Sequence, residues 1–337
     1  MNAPARLTRR HALATLASGT ALLAAPPFVR AQGNLTKLSF QTGWLAQAEH
    51  GGLYQAQATG IYREHGIDLE IRQGGPQMNV VSLFVAGKSD FTEIDSFRMI
   101  SMAQEKLPGV AIAAFFQKDP RVLMSHAGTG NDTLESLKGK PILVATAGRQ
   151  TYWQWLKSKY GFADEQIRPY TFNIAPFLAD KKVSMQGYIT SEPFAARQAG
   201  VDPVIHLLAD SGFDNYAGVA LASPKMVQEK PELVQRFVTA TAKGWQSYLH
   251  GDPAPANKAI RAHNPDMGED KLAYAIDALR KWGIVEGGDA KTLGLGAMTE
   301  ARWQRFYDMM VAAGAQQGGV DLKSGYTLQF VNNKRAA

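Results

Sequence analysis

Short apolar runs and stretches of helical period alternate along the chain, which predicts strands separated by helices. Leu38–Gln41 reads as a strand that ends at Gly43-Trp44. Glu49 to Thr59 follows as a helix, with Leu53, Ala56 and Gly60 on one face and Gly60 as its stop. Asp68–Arg72 is the next strand, closed by Gly74-Gly75-Pro76. Strand, helix and strand in one span make a βαβ unit with parallel strands. A helix over Met78–Ala86, a strand over Asp90–Ile94, a helix over Phe97–Glu105 and strands over Val110–Gln117 and Arg121–Ser125 continue the pattern.

A second unit starts near Asn131. Asp132-Thr133-Leu134-Glu135 has the spacing of a capping box. Strands are expected over Pro141–Ala145, Arg168–Phe172, Met185–Ile189 and Pro203–Leu208. A helix runs from the Ala147-Gly148-Arg149-Gln150 turn to Tyr160, and a short one covers Ile174–Ala179. Val219–Ala222 reads as a strand returning to the first unit. Amphipathic helices follow: one from Pro231 that Pro253 and Pro255 interrupt, then Lys271–Lys281 and Thr299–Ala313. They carry no dense polar cluster and read as packing.

The fold class is therefore α/β, with two lobes, each a doubly wound, mostly parallel sheet with flanking helices. The expected lobes are residues 32–125 plus 218–337, and residues 126–217. The chain crosses between them twice, which makes a hinge around a cleft. Clefts between lobes are common ligand sites.

The formal charge of +6 changes little. Arg6, Arg9, Arg10 and Arg30 precede residue 32, where no acid stands, and setting them aside leaves +2. No later basic run is long enough to track a nucleic-acid backbone, so no nucleic-acid partner is expected. Thr8-Arg9-Arg10 before the apolar run Ala12–Ala25, then Val29-Arg30-Ala31, has the layout of an export signal over residues 1–31. The arginine pair resembles a twin-arginine signal, with cleavage near Ala31 and a periplasmic mature protein. The chain has no cysteine, which excludes disulfides, thiolate metal sites and cysteine nucleophiles. No G-x-G-x-x-G, P-loop or G-x-S-x-G is present, and the seven histidines are scattered. No cofactor and no metal site is expected.

Ligands of open parallel sheets sit at the carboxyl ends of strands. Trp44 stands at such an end and suits stacking on a flat ring, or is a partly buried lobe-edge residue. His50 either bonds a ligand or caps backbone. Gln77 and Asn79 follow the Gly-Gly-Pro turn, within reach of the cleft. Asp95 and Ser96 end the strand over Asp90–Ile94. Arg149 lies at a helix start suited to an anionic group. Tyr188 offers a second ring face or a phenol. Glu192 either accepts two N–H bonds, as an aminopyrimidine edge would donate, or is a hinge carboxylate or helix cap. Tyr216, beside the second crossing, is hinge or cleft wall.

The pattern G-W-x-x-Q-A-E-H-G-G-x-Y, then G-I-Y-x-E-x-G-I-D, G-G-P-Q-x-N and later G-Y-I-T-S-E-P resembles the NMT1/THI5-like group over about Leu35 to Pro224. These are periplasmic solute-binding proteins of ABC importers, related to nitrate, sulfonate and taurine binders. Within the group the chain is most similar to ThiY-type binders of thiamine pyrimidine precursors. The resemblance implies a type II two-lobe binding protein and a small heteroaromatic ligand such as formylaminopyrimidine or hydroxymethylpyrimidine. It also implies an ABC permease and its ATPase in the inner membrane as partners, a monomer, and no catalysis. A sulfonate, nitrate or other small organic anion is the alternative ligand. One branch of the group is a synthase that makes the pyrimidine from its own histidine and bound pyridoxal phosphate. It carries Lys and His in the stretch matching Asp90–Ser101, plus a cysteine cluster. Here the positions hold Ile94 and Arg98, with no cysteine, which argues against a pyrimidine-synthesis enzyme.

Overall fold

The apolar runs become ten strands in two sheets of five. The computed structural model describes residues 35–332. The export signal expected over residues 1–31 lies outside them. The first sheet contains β1 (Thr36–Gln41), β2 (Ile67–Arg72), β3 (Phe91–Ile94) and β4 (Val110–Phe116). The second contains β5 (Arg121–His126), β6 (Ile142–Val144), β7 (Ile167–Pro169), β8 (Ser184–Tyr188) and β9 (Pro203–Leu207). The returning strand β10 (Ala217–Ala222) rejoins the first.

The two sheets repeat one topology. Their orders are β2-β1-β3-β10-β4 and β7-β6-β8-β5-β9. β1 is parallel to β2 and β3, and β6 is parallel to β7 and β8. One strand in each sheet runs backwards: β10 between β3 and β4, and β5 between β8 and β9. Those two are the first strands after each crossing. The crossings are thus held in the sheets by full strand pairing rather than by loops. Arg121–Ser125, grouped with the first lobe from its sequence position, pairs with β8 and β9 and belongs to the second sheet. Sequence order could not reveal this, because strand pairing is decided by tertiary contact.

In β2 burial alternates strictly, with Ile67, Leu69 and Ile71 inside and Asp68, Glu70 and Arg72 outside. The inner rings of the first lobe gather around Phe237 of helix Pro231–His250: Phe91 stacks on it at 4.0 Å, with Phe40 at 5.9 Å and Tyr62 at 6.0 Å. Burying each ring is worth roughly 1.5–3 kcal/mol. Helix Pro231–His250 also packs tightly on helix Gly51–Ala58. A Cβ on Gly244 would stand 2.1 Å from the Gly52 carbonyl oxygen, so only glycine permits this approach. That contact fixes the turn Ala48–His50, and with it Glu49 and His50, at the carboxyl end of the sheet.

Several elements differ from expectation. The strand read over Arg168–Phe172 stops at Pro169. The Asp132 capping box is displaced by one residue: Thr133 and Ser136 bond each other's backbone N–H groups reciprocally at 3.2 Å. The helix from Pro231 does end before Pro253, but Pro255 opens a further helix, Ala254–His263. Its missing N–H costs nothing in a first turn. Helix Glu192–Gln198 opens the same way at Pro193. No helix among the described residues is long and apolar enough to cross a membrane.

Candidate functional site

The carboxyl ends of the two sheets face each other, and side-chain contacts join them. Trp44 follows β1 and Phe172 follows β7, and their rings meet at 4.9 Å with a 49° tilt. Glu49 is buried and accepts a hydrogen bond from the Thr190 hydroxyl just past β8. Arg121, at the start of β5, bonds Asp95, just past β3, at 3.1 Å.

The floor on the first lobe is acidic around one imidazole. His50 is 2% exposed, with Nε2 3.6 Å from Glu93 Oε1. Its Nδ1 is buried without a hydrogen-bond partner. Burial opposes an imidazolium here, but Glu93 and then Glu49 outweigh it, so His50 titrates above its ordinary range. Glu49 is pushed up as well: burial dominates, and the Thr190 bond only partly offsets it. A small void bounded by Glu49, Glu93, Phe40 and Phe116 lies beneath, with room for about one water. Among the described residues no cluster of His, Asp and Glu is placed to hold a metal.

The second lobe presents groups that are already engaged. Both Glu192 carboxylate oxygens accept bonds, Oε1 from the Tyr170 hydroxyl at 2.9 Å and Oε2 from the Tyr188 N–H at 2.7 Å. Burial raises its pKa, and those two bonds oppose the rise. Tyr188 is half-buried with the Arg121 guanidinium 6.0 Å over its ring, and burial first of all raises its phenol. Arg149 keeps a buried Nε without a partner, at the end of the one-turn helix Thr146–Arg149 rather than at the start of helix Tyr152–Tyr160.

The structure thus brings Trp44, His50, Asp95, Tyr188 and Glu192 to the facing strand ends. The other expected residues serve elsewhere. Asn79 caps helix Val80–Val85 by accepting the Ser82 N–H, and Gln77 is exposed in the preceding turn. Ser96 and Tyr216 are fully buried in the hinge, not the cleft. The Ser96 hydroxyl donates to Asn215 at 2.6 Å. The Tyr216 hydroxyl donates to Asp289 and accepts from the Thr299 N–H, while Arg302 lies 4.0 Å over its ring. Asp95 also caps helix Ser96–Gln104. Sequence reasoning missed Glu49, Glu93, Arg121, Phe172 and Thr190. Glu49 and Thr190 lay within its family motifs, the only signal available for them.

The model of the family described as NMT1/THI5 like matches residues 47–256, more than half of the chain. The riboflavin-binding protein RibY of Chloroflexus aurantiacus is 22% identical over 91% of this chain and 89% of its own length. The 4-amino-5-hydroxymethyl-2-methylpyrimidine phosphate synthase THI5 of Saccharomyces cerevisiae is also 22% identical, over 71% of this chain and 74% of its own. The structure resembles the periplasmic aliphatic sulphonate binding protein SsuA of Escherichia coli, with TM-score 0.63, 11% identity and 86% and 91% of the two chains covered. That likeness establishes the fold, the two-lobe architecture of periplasmic binding proteins. With the match over residues 47–256, the chain belongs to the NMT1/THI5-like family.

Proposed function

We propose that this protein is the exported solute-binding component of an ABC importer and closes its two lobes on a small, flat, donor-rich heteroaromatic. A thiamine pyrimidine precursor such as formylaminopyrimidine or hydroxymethylpyrimidine fits this description, and the permease with its ATPase is the receiving partner. The observation that carries the reading is an acidic group beside the strand end that bears Trp44: Glu93 and Glu49 act on His50, and a Cβ on Gly43, next to Trp44, would stand 3.7 Å from Glu93 Oε1. Carboxylates accept from ring amino groups and repel an anion. Arg121, which joins the facing strand ends, is neutralised by Asp119 at 2.5 Å and Asp95 at 3.1 Å. Relatives named for riboflavin and for a pyrimidine phosphate point to heteroaromatic rings as well. No chemistry is required of the site: Ile94 is buried at the end of β3, where the synthases resembled carry a reactive side chain.

One observation favours a second reading. The unpartnered Nε of Arg149 suits a sulfonate or carboxylate, as does the likeness to SsuA. A thermal-shift screen of the mature protein separates the two. A ligand at about 100 times its Kd stabilises the fold by about 2.7 kcal/mol. The expected shift is with hydroxymethylpyrimidine or riboflavin and not with taurine. A shift with taurine alone, lost in Arg149→Gln, transfers the site to the anion reading.

A further inference from the structure

Phe172 combines three features that packing alone does not explain. Its φ is +63°, one of three positive values among the described non-glycine residues, and the other two are Lys106 and Asn332. A bulky side chain avoids this region because Cβ crowds the following carbonyl. It is 51% exposed, the most exposed of the large apolar side chains in the described residues. And its ring faces Trp44 across the cleft at 4.9 Å. Strained residues persist where the surroundings over-determine them, and they gather at ligand clamps. The surroundings here are specific. β7 ends at Pro169, and Tyr170 then packs 5.3 Å behind Phe172. The Tyr170 hydroxyl is held by Glu192. Glu192 is therefore a positioning residue that acts through Tyr170, since both of its oxygens already accept bonds from the protein.

We propose that Trp44 and Phe172 form a two-sided aromatic clamp, one ring from each lobe, that takes a planar π ligand between them. The proposal rests on the heteroaromatic reading above and adds the residue that selects for flatness. Two ring-to-ring contact layers need about 7 Å. The present 4.9 Å is therefore the rings' own contact, and they part by about 2 Å to admit a ligand. Saturated ligands gain no stacking from such a pair.

The test is calorimetric titration of the mature protein with hydroxymethylpyrimidine and with riboflavin, for wild type and for Phe172→Gly, Phe172→Leu and Phe172→Tyr. Phe172→Gly and Phe172→Leu are expected to weaken the bound ring about tenfold. Phe172→Tyr keeps the affinity within about threefold, because the π face remains. The ligand-free melting midpoint of Phe172→Gly is unchanged or raised, since glycine adopts the positive φ freely. Wild-type affinity in Phe172→Gly, or in Phe172→Leu, overturns the clamp and leaves the heteroaromatic reading intact. A wild-type protein that binds neither ring overturns both.

Discussion

The hinge and the cleft are built from the same residue types, but they treat hydrogen bonds in opposite ways. In the hinge every polar group named here is closed by protein. Buried Asp119, in the first crossing, accepts from the Arg121 N–H and guanidinium and from Asn215. Asn215, in the second crossing, accepts in turn from Ser96. Arg302, 4% exposed, donates to the Gln117 and Asn215 carbonyls, one from each crossing, and pairs with Asp214 at 2.8 Å. In the cleft, Nδ1 of His50 is buried without a partner, and Phe172 stands half in water. A buried unpaired polar group costs roughly 1–3 kcal/mol. A closed network sets geometry, and an open one carries a standing cost that a ligand with matching groups removes.

The largest effect that would test this contrast is expected at Arg302. Arg302→Ala strips both crossings of one shared donor and leaves Asp214 with only Arg305. The expected loss is about 3–5 kcal/mol, read from urea unfolding. Arg302→Lys recovers little, because an ammonium cannot reproduce the planar fork over Tyr216. A loss below about 1 kcal/mol would show that the crossings are held by strand pairing alone.

The contrast also separates what was legible in the sequence from what was not. Strand alternation, the βαβ unit and the return of Val219–Ala222 are local patterns, and they emerged nearly in place. Trp44 and His50 were legible because strand ends are legible. Ser96 was equally plausible by that rule, and Tyr216, beside the second crossing, left hinge and cleft wall both open. Only the partners that bury them, Asn215 and Asp289, from distant parts of the chain, assign them to the hinge. Glu49 stood only as the first residue of a predicted helix, since its hydrogen-bond partner, Thr190, comes from the other lobe. Phe172 was hidden more deeply. Nothing in Thr171-Phe172-Asn173 announces a left-handed backbone, and its apolar ring favoured the strand assignment that Pro169 cuts short.

A smaller effect concerns pH and lies wholly in the cleft. Glu49 and Glu192 titrate above their ordinary 4.5 in the folded protein, and His50 above 6.5. A folded-state pKa that is raised gives a contribution that is whole below the unfolded value and fades as pH rises through the folded one. All three therefore act with the same sign, and stability declines on the alkaline side, the carboxylates starting above pH 4.5 and His50 above 6.5. Lys271 and His50 moderate the rise at Glu49 without reversing it. Glu49→Gln keeps an oxygen for the Thr190 hydroxyl and removes one titration. The fall of the urea midpoint between about pH 4 and about pH 9 should become shallower, with the Glu192 and His50 components left. An identical profile in the variant would mean that Glu49 does not carry the raised titration assigned to it beside Thr190.

The smallest expected effect sits at a contact that belongs to neither region. Tyr274, on helix Glu269–Lys281, donates to the Ile189 carbonyl at 3.1 Å and accepts from Arg197 at 3.1 Å. Ile189 adjoins Thr190, and helix Glu269–Lys281 packs on the Ala48–His50 turn that carries Glu49. The Glu49–Thr190 and Tyr274–Ile189 bonds are thus neighbouring fastenings between the same two surfaces. Tyr274→Phe keeps the ring 5.4 Å from Phe194 and below the Arg197 guanidinium, and removes only the hydroxyl. One hydrogen bond nets about 0.5–1.5 kcal/mol. A loss of about 1 kcal/mol moves an open–closed equilibrium about fivefold. The variant should then show a longer mean distance between dyes on the two lobes without ligand. Its ligand affinity should fall by up to the same factor, the full factor being reached where the open form predominates without ligand, because binding must then supply closure. A longer distance with unchanged affinity would mean that ligand binds the open form equally well, and closure would then contribute nothing to capture.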